Sequence, residues 1–204
     1  LKMAVKNIYA VILAAGQSSR MGRFKALLRY NKSETFLSRL VKLYSTVTGN
    51  EPIVVVNERL FKTIQFHKIN TIGRFKTIIN NSPDKGRFYS VQTGLKFIPA
   101  SKSVFIHDVD RPFVKENTLR KMASNYLVSG YMVPRYKGKS GHPVLLGRKV
   151  ISDILSLTPE SRRLDEFLAN YKNRKVDVDD PGITVNINTK EDYLTWLKKS
   201  PNRE

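Results

Sequence analysis

The residues best suited to chemistry lie in two short segments, each of which follows an apolar run. Residues 13–25 begin with small side chains and a glycine, and then carry three cations and no acid. Backbone amides and cations in such a segment can hold the phosphates of a nucleotide. Asp108 follows the second apolar run, and a carboxylate in that position suits Mg²⁺. Together the two segments predict a site for a nucleotide and a metal ion.

These segments need a sheet to position them, and the first 127 residues predict one. Short apolar runs alternate there with stretches of helical spacing. The predicted strands are 8–13, 53–56, 77–79 and 104–106, and the predicted helices are 35–46, 90–97 and 115–127. Because buried parallel strands are apolar on both faces, the pattern indicates an α/β fold with a mostly parallel sheet between helices.

The pattern changes after Gly130. The rest of the chain predicts a strand pair, two short helices, a late strand and a closing helix with Thr189 as its N-cap. The strand pair is 132–136 with 143–146, the short helices are 150–155 and 164–168, the late strand is 184–187 and the closing helix is 190–197.

Composition narrows the class of protein. Hydrophobic residues make up 41% of the 204, enough for a core. The absence of cysteine excludes disulfides, thiolate zinc sites and cysteine nucleophiles. With no secretory signal and no apolar stretch long enough to cross a membrane, we expect a cytoplasmic protein. The net charge of +19 predicts polyanionic partners, such as phosphorylated substrates or nucleic acid.

Two common phosphate-binding patterns do not explain the first segment. The P-loop has four residues between its glycines, whereas five separate Gly16 from Gly22. The dinucleotide pattern needs a glycine where Ser18 lies. A plain strand-to-helix turn is the other interpretation, but it does not account for three cations without an acid.

A longer pattern covers residues 13–28: Leu-Ala-Ala-Gly-x-Ser-x-Arg-Met-Gly-x-x-Lys-x-Leu-Leu. It resembles the signature of the MobA-like nucleotidyltransferases, which have a Rossmann-like fold of the glycosyltransferase-A type. These enzymes transfer a nucleoside monophosphate from a triphosphate to an acceptor phosphate and release pyrophosphate. The resemblance implies nucleotide contacts from the backbone of Leu13, Ala14, Ala15 and Gly16.

Three side chains are the catalytic candidates that the resemblance implies. Arg20 and Lys25 would hold the triphosphate and stabilise charge at the α-phosphate. Asp108 matches the family's metal-binding aspartate, and its surroundings, His-Asp-x-x-Arg-Pro-Phe, are similar to those in the methylerythritol phosphate cytidylyltransferases. Asp110 is displaced from the metal position, and we expect it to point elsewhere or to pair with Arg111.

Residues 80–95 combine a polar loop with the start of a predicted helix. Taken alone, they are a surface loop with Ser90 as N-cap. Residues 87–95, Arg-x-x-Ser-Val-x-x-Gly-Leu, also resemble the segment that contacts the base in the cytidylyltransferases. The resemblance implies nucleotide contacts from Asn81, Arg87 and Ser90, and it favours CTP.

The second half of the chain has two further matches. Residues 141–145, Gly-His-Pro-Val-Leu, are similar to a segment of the molybdenum cofactor cytidylyltransferases. A lone histidine is usually structural, but this context makes His142 a candidate for acceptor binding. Residues 186–189 are similar to the family's second metal-side segment, which implies Mg²⁺ ligands at Asn186 and Asn188 beside Asp108. Both asparagines are neutral, and guanylyltransferases have a similar pair, which weakens the preference for CTP.

The resemblance implies one nucleotidyltransferase domain over residues 1–204. Its first part, about 8–127, would bind the nucleotide, and its second part, about 128–198, would bind the acceptor and close the domain. The favoured activity is transfer of a nucleoside monophosphate, CMP before GMP, to a phosphorylated acceptor such as molybdopterin in molybdenum cofactor biosynthesis. The expected partners are a nucleoside triphosphate, a phosphorylated acceptor and an acceptor-enzyme protein, with no membrane. A methylerythritol phosphate or sugar-phosphate nucleotidyltransferase is the alternative. A non-catalytic nucleotide-binding module, or a nucleic-acid binder, is the alternative of another class; no nucleic-acid-binding signature supports the latter.

Overall fold

The computed structural model describes residues 5, 7–16, 21–66, 73–125, 127–158 and 163–199. Within these residues eight strands form one sheet: β1 (Ile8–Ala14), β2 (Ile53–Val56), β3 (Lys76–Ile79), β4 (Ser103–Asp108), β5 (Gly130–Tyr136), β6 (Lys139–Ser140), β7 (Val144–Leu146) and β8 (Lys172–Asp177). The helices are α1 (Phe36–Thr48), α2 (Glu58–Phe66), α3 (Gly86–Leu95), α4 (Glu116–Ala123), α5 (Arg148–Ser156), α6 (Leu164–Leu168) and α7 (Lys190–Lys199).

The sheet is mostly parallel, which confirms the predicted α/β fold. Its strand order is β3-β2-β1-β4-β7-β5-β6, and β8 pairs with β5. The first four strands of this order pair in parallel, whereas β7 is antiparallel to both β4 and β5. Because β1, β2, β3 and β4 point the same way, their carboxyl ends lie along one edge, where ligands of such sheets bind.

The core has two layers, one on each face of the sheet. Side chains of β1 alternate between them, because successive residues of a strand face opposite sides. Ile8 and Ile12 join the layer under α1, α2 and α4, whereas Val11 and Leu13 join the layer under α3, α5 and α6. This burial on both faces explains why the predicted strands are continuously apolar.

Helix α3 lies very close to the sheet, and a glycine makes this possible. A Cβ at Gly94 would lie 2.5 Å from Val11 Cγ1 and 3.0 Å from Val55 Cγ2. The close approach fixes the last turn of α3 against β1 and β2. None of the helices in the described part of the chain is long and apolar enough to cross a membrane.

Most of the predicted elements are confirmed, with small changes in their bounds. The antiparallel pair predicted after Gly130 is β5 with β7, in which Met132 faces Leu145. The helix predicted at 115–127 is shorter and ends at Ala123. The helix predicted at 90–97 begins four residues earlier, at Gly86, so Ser90 lies inside α3 and is not its N-cap.

Two features of the second half differ from the prediction. Residues 184–187 are not a strand, because Asp180 Oδ1 accepts a hydrogen bond from Gly182 N and starts a 3₁₀ turn at Pro181–Thr184. Strand β8 was not predicted, because its sequence is polar and only Val176 in it is buried. It is a strand because its backbone pairs with β5 over six residues.

Candidate functional site

The candidate site lies where β1 and β4 end. These strands are neighbours, and Leu13 is opposite Asp108. The glycine segment after β1 and the acidic turn after β4 therefore start side by side. Asn57, which follows β2, supports the glycine segment, since its amide donates to Ala15 O at 3.1 Å and to Gly16 O at 3.3 Å.

A cavity of about 480 Å³, the first cavity, opens at this edge. Arg20 lies outside the described residues, and Asn81 is exposed and outside the described lining of the cavity. The roles of the predicted residues stay predictions, but most of them are brought together. The predicted residues that line the first cavity are Leu13, Ala14, Ala15, Gly16, Lys25, Arg87, Ser90, Asp108, Asn186 and Asn188.

Lys25 contacts two oxygen atoms in the first cavity. Its Nζ donates to Asp110 Oδ2 and to Asn188 Oδ1, both at 2.9 Å. The side chains of Lys25 and Asp110 are only 14% and 20% exposed. The expectation that Asp110 points elsewhere or pairs with Arg111 is therefore wrong. The reason is a contact between distant segments of the chain. Ile187 N donates a hydrogen bond to Asp110 O at 3.0 Å and brings residues 186–188 against the turn.

Asp108 is paired with two other side chains. Arg87 Nε donates to its Oδ1 at 2.8 Å, and His142 Nε2 lies 3.2 Å from its Oδ2. Burial raises the pKa of the Asp108 carboxyl, but Arg87 and His142 outweigh burial and hold this pKa well below its usual range. Asp108 is therefore ionised at neutral pH and joins α3 to the segment before β7.

His107 orders the turn that carries these acids. The Tyr44 hydroxyl lies 2.6 Å from its Nδ1, and its Nε2 lies 2.8 Å from Arg111 O. Because a carbonyl only accepts, Nε2 carries the hydrogen and the Tyr44 hydroxyl donates to Nδ1. Burial lowers the pKa of His107 to about 3, although the bond to the carbonyl favours the charged ring. The neutral ring thus holds residues 107–111 against α1.

Asn80 supports the start of α3. Its side chain is buried, and its Nδ2 donates to Ser90 Oγ at 2.9 Å while its Oδ1 accepts from Ser82 N at 2.8 Å. Gly86 has a φ of 81°, in the left-handed region that favours glycine. From this turn Arg87 and Ser90 line the first cavity.

A second cavity, of about 790 Å³, adjoins the first. His142 lines only the second of these cavities, so the predicted acceptor residue lies on the other side of Asp108 from the glycine segment. Four residues line both cavities and form what we call the shared wall: Gly86, Arg87, Asp108 and Arg111.

Residues 186–188 bring two amide oxygens to the first cavity. Asn188 Oδ1 accepts from Lys25, whereas Asn186 Oδ1 is buried with no hydrogen-bond partner among the described residues. Asp192 holds the segment, since its Oδ2 accepts from Asn188 N at 2.8 Å and from Thr189 N at 2.9 Å. The described part of the chain has no group of three or more His, Cys, Asp or Glu side chains that could hold a metal ion.

Three residues of the site were not given a functional role from the sequence. Asp110 and Arg111 line the first cavity, and Asn80 holds Ser90. Asn80 has part of the signal used for Asp108, since it is a polar residue directly after a predicted strand, although β3 is only partly buried. Asp110 has no such local signal, because its direction depends on contacts with Lys25 and Ile187, which are distant in the chain.

Comparison with known proteins gives a family and two named relatives. Residues 10–176 match the family described as MobA-like NTP transferase domain. The chain is 25% identical over 190 residues to the molybdenum cofactor cytidylyltransferase of Escherichia coli K12, which covers 92% of this chain and 94% of that protein. It is 30% identical over 129 residues to the 2-C-methyl-D-erythritol 4-phosphate cytidylyltransferase of Lachnoclostridium phytofermentans. That alignment covers 59% of this chain and 52%, about half, of the relative.

A solved structure has the same fold. It is a nucleotidyl transferase from Methanothermobacter, with a TM-score of 0.76 and 24% identity. The superposition covers 97% of this chain and 99% of that one.

Proposed function

Since this chain belongs to the family of MobA-like NTP transferase domains, we propose that it transfers CMP from CTP to a phosphorylated acceptor and releases pyrophosphate. The acceptor phosphate would attack the α-phosphate in line with the leaving pyrophosphate. No covalent enzyme intermediate and no strong base are needed, because the acceptor phosphate is already ionised.

The observation that carries the proposal is the shared wall. A triphosphate in the first cavity and a phosphorylated acceptor in the second would meet there. Arg87 and Arg111 could then offset the negative charge of two phosphates brought together. Asp108 holds the Arg87 guanidinium at 2.8 Å, so this cation is oriented before a substrate binds. Orienting two reactants supplies much of the rate enhancement in phosphoryl transfer.

The first cavity supplies the donor side. The backbone of residues 13–16 would lie against the nucleotide, with Lys25 and Arg20 as cations for the triphosphate. Lys25 is suited to this role because its ammonium is already in the first cavity, only 14% exposed. Ser90 and Arg87 would contact the nucleotide from α3.

We propose Mg²⁺ as the cofactor of the reaction. Four side chains in the lining of the first cavity offer carboxylate or amide oxygens, the ligands that suit Mg²⁺: Asp108, Asp110, Asn186 and Asn188. The buried Asn186 Oδ1, which has no partner among the described residues, fits a role as an acceptor for a cation. The ion would neutralise charge on the triphosphate and on the leaving pyrophosphate.

The two relatives support CTP as donor, since both are cytidylyltransferases by name. They differ in their acceptor. The relative aligned over nearly its whole length is the molybdenum cofactor enzyme, so we propose molybdopterin first. The methylerythritol phosphate class comes second. His142, in the second cavity, is the proposed acceptor contact in either case.

Pyrophosphate release tests the proposal. The protein is incubated with Mg²⁺ and each nucleoside triphosphate, in the presence of molybdopterin, methylerythritol phosphate or a sugar phosphate. We expect release with CTP and one of these acceptors, and a cytidylylated acceptor of the corresponding mass. No release with any pair, in a protein that still binds nucleotide, would refute the enzymatic function.

A matched pair of variants links activity to the shared wall. Arg87→Met removes a cation held by Asp108, and it should lower kcat by about 100-fold or more. Arg135→Met removes a similar pair, with Arg135 Nε 2.6 Å from Asp177 Oδ1, outside the described lining of both cavities. The Arg135 variant should keep wild-type turnover. Near wild-type turnover in a folded Arg87 variant would remove Arg87 from the mechanism.

A further inference from the structure

Strand β8 lies at one edge of the sheet and carries three exposed cations. Within the described residues it pairs with β5 alone, over six residues. Lys172, Arg174 and Lys175 are exposed, and none of them has an ion-pair partner in the described part of the chain. The acid of the strand, Asp177, is already paired with Arg135 at 2.6 Å. The edge therefore presents positive charge that the described fold does not offset.

The backbone of β8 offers hydrogen-bonding groups on its outer side. In a parallel pair of strands, alternate residues direct both N–H and C=O to the neighbouring strand. Val178 N donates to Arg135 O at 2.9 Å, which places the even-numbered residues of β8 on the inner side. The backbone groups of Asn173 and Lys175 therefore point away from β5, and they have no hydrogen-bond partner among the residues that the structure describes.

The cations of β8 lie on both faces of this edge, because successive residues of a strand face opposite sides. Lys172 and Arg174 share a face with the buried Val176. Lys175 is on the opposite face with Asn173, which lines the second cavity. A strand added at this edge would meet positive charge on both of its faces.

An acidic peptide fits this edge better than a second copy of the chain or a nucleic acid. Two copies of β8 side by side would bring like charges together, which is destabilising. The phosphate backbone of a nucleic acid accepts hydrogen bonds but donates none, so the outward C=O groups would stay unpaired. An extended peptide supplies both N–H and C=O, and its carboxylates would pair with the cations.

We propose that β8 binds an acidic, extended segment of a partner protein as an added strand of the sheet. The backbone of Asn173 and Lys175 supplies the hydrogen bonds, and the three cations supply the charge. Because Asn173 also lines the second cavity, the partner lies at the rim of the cavity where the acceptor would enter. A role in exchanging acceptor or product rests on the proposed function, but the binding does not.

A blocked peptide of three Glu-Glu-Thr repeats tests the proposal, with affinity measured by calorimetry at low ionic strength. Hydrogen exchange, followed by nuclear magnetic resonance, shows how the peptide is bound. At saturation the amides of Asn173 and Lys175 should exchange about tenfold or more slowly, because their outward N–H groups gain acceptors. The amides of Arg174 and Val176 already face β5 and should change much less.

A second peptide separates strand pairing from charge. It has the same sequence with every backbone nitrogen methylated, so it keeps the carboxylates and loses all N–H donors. We expect it to bind about tenfold or more weakly, because it cannot pair as a strand.

Matched double variants separate the position of the charge from its amount. Lys172→Glu with Lys175→Glu reverses two charges of the edge and should weaken peptide binding about tenfold or more. Lys96→Glu with Lys198→Glu makes the same change in net charge at two exposed lysines outside β8. This control should stay within about threefold of the wild-type affinity. Circular dichroism establishes that each variant is folded.

Three results would overturn the proposal: no binding of the peptide, equal weakening in the two double variants, or equal affinity of the methylated peptide. An oligonucleotide that binds through the same lysines more tightly than the peptide would assign the edge to nucleic acid instead. A wild-type dimer in sedimentation that dissociates in the β8 variant would assign it to a second copy. Since these measurements need no turnover, failure of the proposed function and failure of this inference are distinguishable.

Discussion

Lowering the pH from 7.5 to 5 should destabilise this protein, and His107 should account for most of the loss. In the fold the pKa of this ring is about 3, against 6.5 for an ordinary histidine. Between these values the unfolded chain binds a proton that the folded chain does not, so the free energy of unfolding falls as the pH falls. At about 1.4 kcal/mol per pH unit below 6.5, the loss by pH 5 is about 2 kcal/mol.

Between pH 7.5 and 5 the effect of the His107 ring on stability can be distinguished from the effect of the acidic side chains. The pKa values of Asp108, Asp153 and Asp165 are all lowered in the fold, from 3.8 in the unfolded reference. The stability that such a carboxyl contributes is present above its unfolded pKa and is lost as the pH falls through the folded one. These acids therefore contribute little to a change between pH 7.5 and 5.

Urea denaturation at a series of pH values measures the effect, because urea leaves the ionic strength unchanged. His107→Gln is the informative variant, since its amide nitrogen can still donate to Arg111 O but does not titrate. This variant should be less stable than the wild type at pH 7.5. On acidification to pH 5, however, it should lose less than about a quarter of the free energy of unfolding that the wild type loses. His142→Gln should still lose most of the free energy of unfolding that the wild type loses over this pH range. A flat wild-type profile, or an equal loss in the His107 variant, would refute the reasoning.

Three further substitutions test contacts that support the site. Tyr44→Phe removes the donor to His107 Nδ1 and should lower the free energy of unfolding by about 1–3 kcal/mol, measured in urea. Gly94→Ala places a methyl group 2.5 Å from Val11 Cγ1, so it should cost about 1–3 kcal/mol and weaken nucleotide binding measured by calorimetry. Asp180→Ala removes the acceptor of two donors at the start of α4, at 2.7 and 2.8 Å, and should cost about 1–3 kcal/mol in thermal unfolding.

Each of these has a control on a neighbouring or similar residue. Tyr9→Phe changes a partly exposed ring, Thr93→Ala changes the adjacent position of α3, and Asp179→Ala removes an exposed acid beside Asp180. All three controls should stay close to wild-type stability. A loss in any control as large as in its partner would show that the named buried contact is not the cause.

The parallel half of the sheet could be predicted from the sequence because its signals are local. Strands β1 and β2 are continuous apolar runs, β4 contains one at residues 104–106, and α1 has apolar residues at helical spacing. The glycine segment and Asp108 were placed at one edge for the same reason, since each directly follows such a run. The register of Leu13 opposite Asp108 confirms that the two segments meet.

The second half was harder to predict because its signals are not local. Strand β8 is polar, and what makes it a strand is its pairing with β5. Three of residues 184–187 are β-branched, as in a strand, yet Asp180 and the close approach of Gly182 to Phe113 O make a turn. In both cases a contact with a distant segment overrides the local preference.

By itself, the sequence determined the class of fold, the edge at which the site lies and the kinds of side chain around it. Only the tertiary structure determined which lysine or arginine side chain pairs with which aspartate. Lys25 lies 85 residues from Asp110 and 163 residues from Asn188 in the chain, yet its Nζ is 2.9 Å from each side-chain oxygen. Contacts over such separations depend on the order of strands and on how the last segment packs, and no local pattern of residues specifies either.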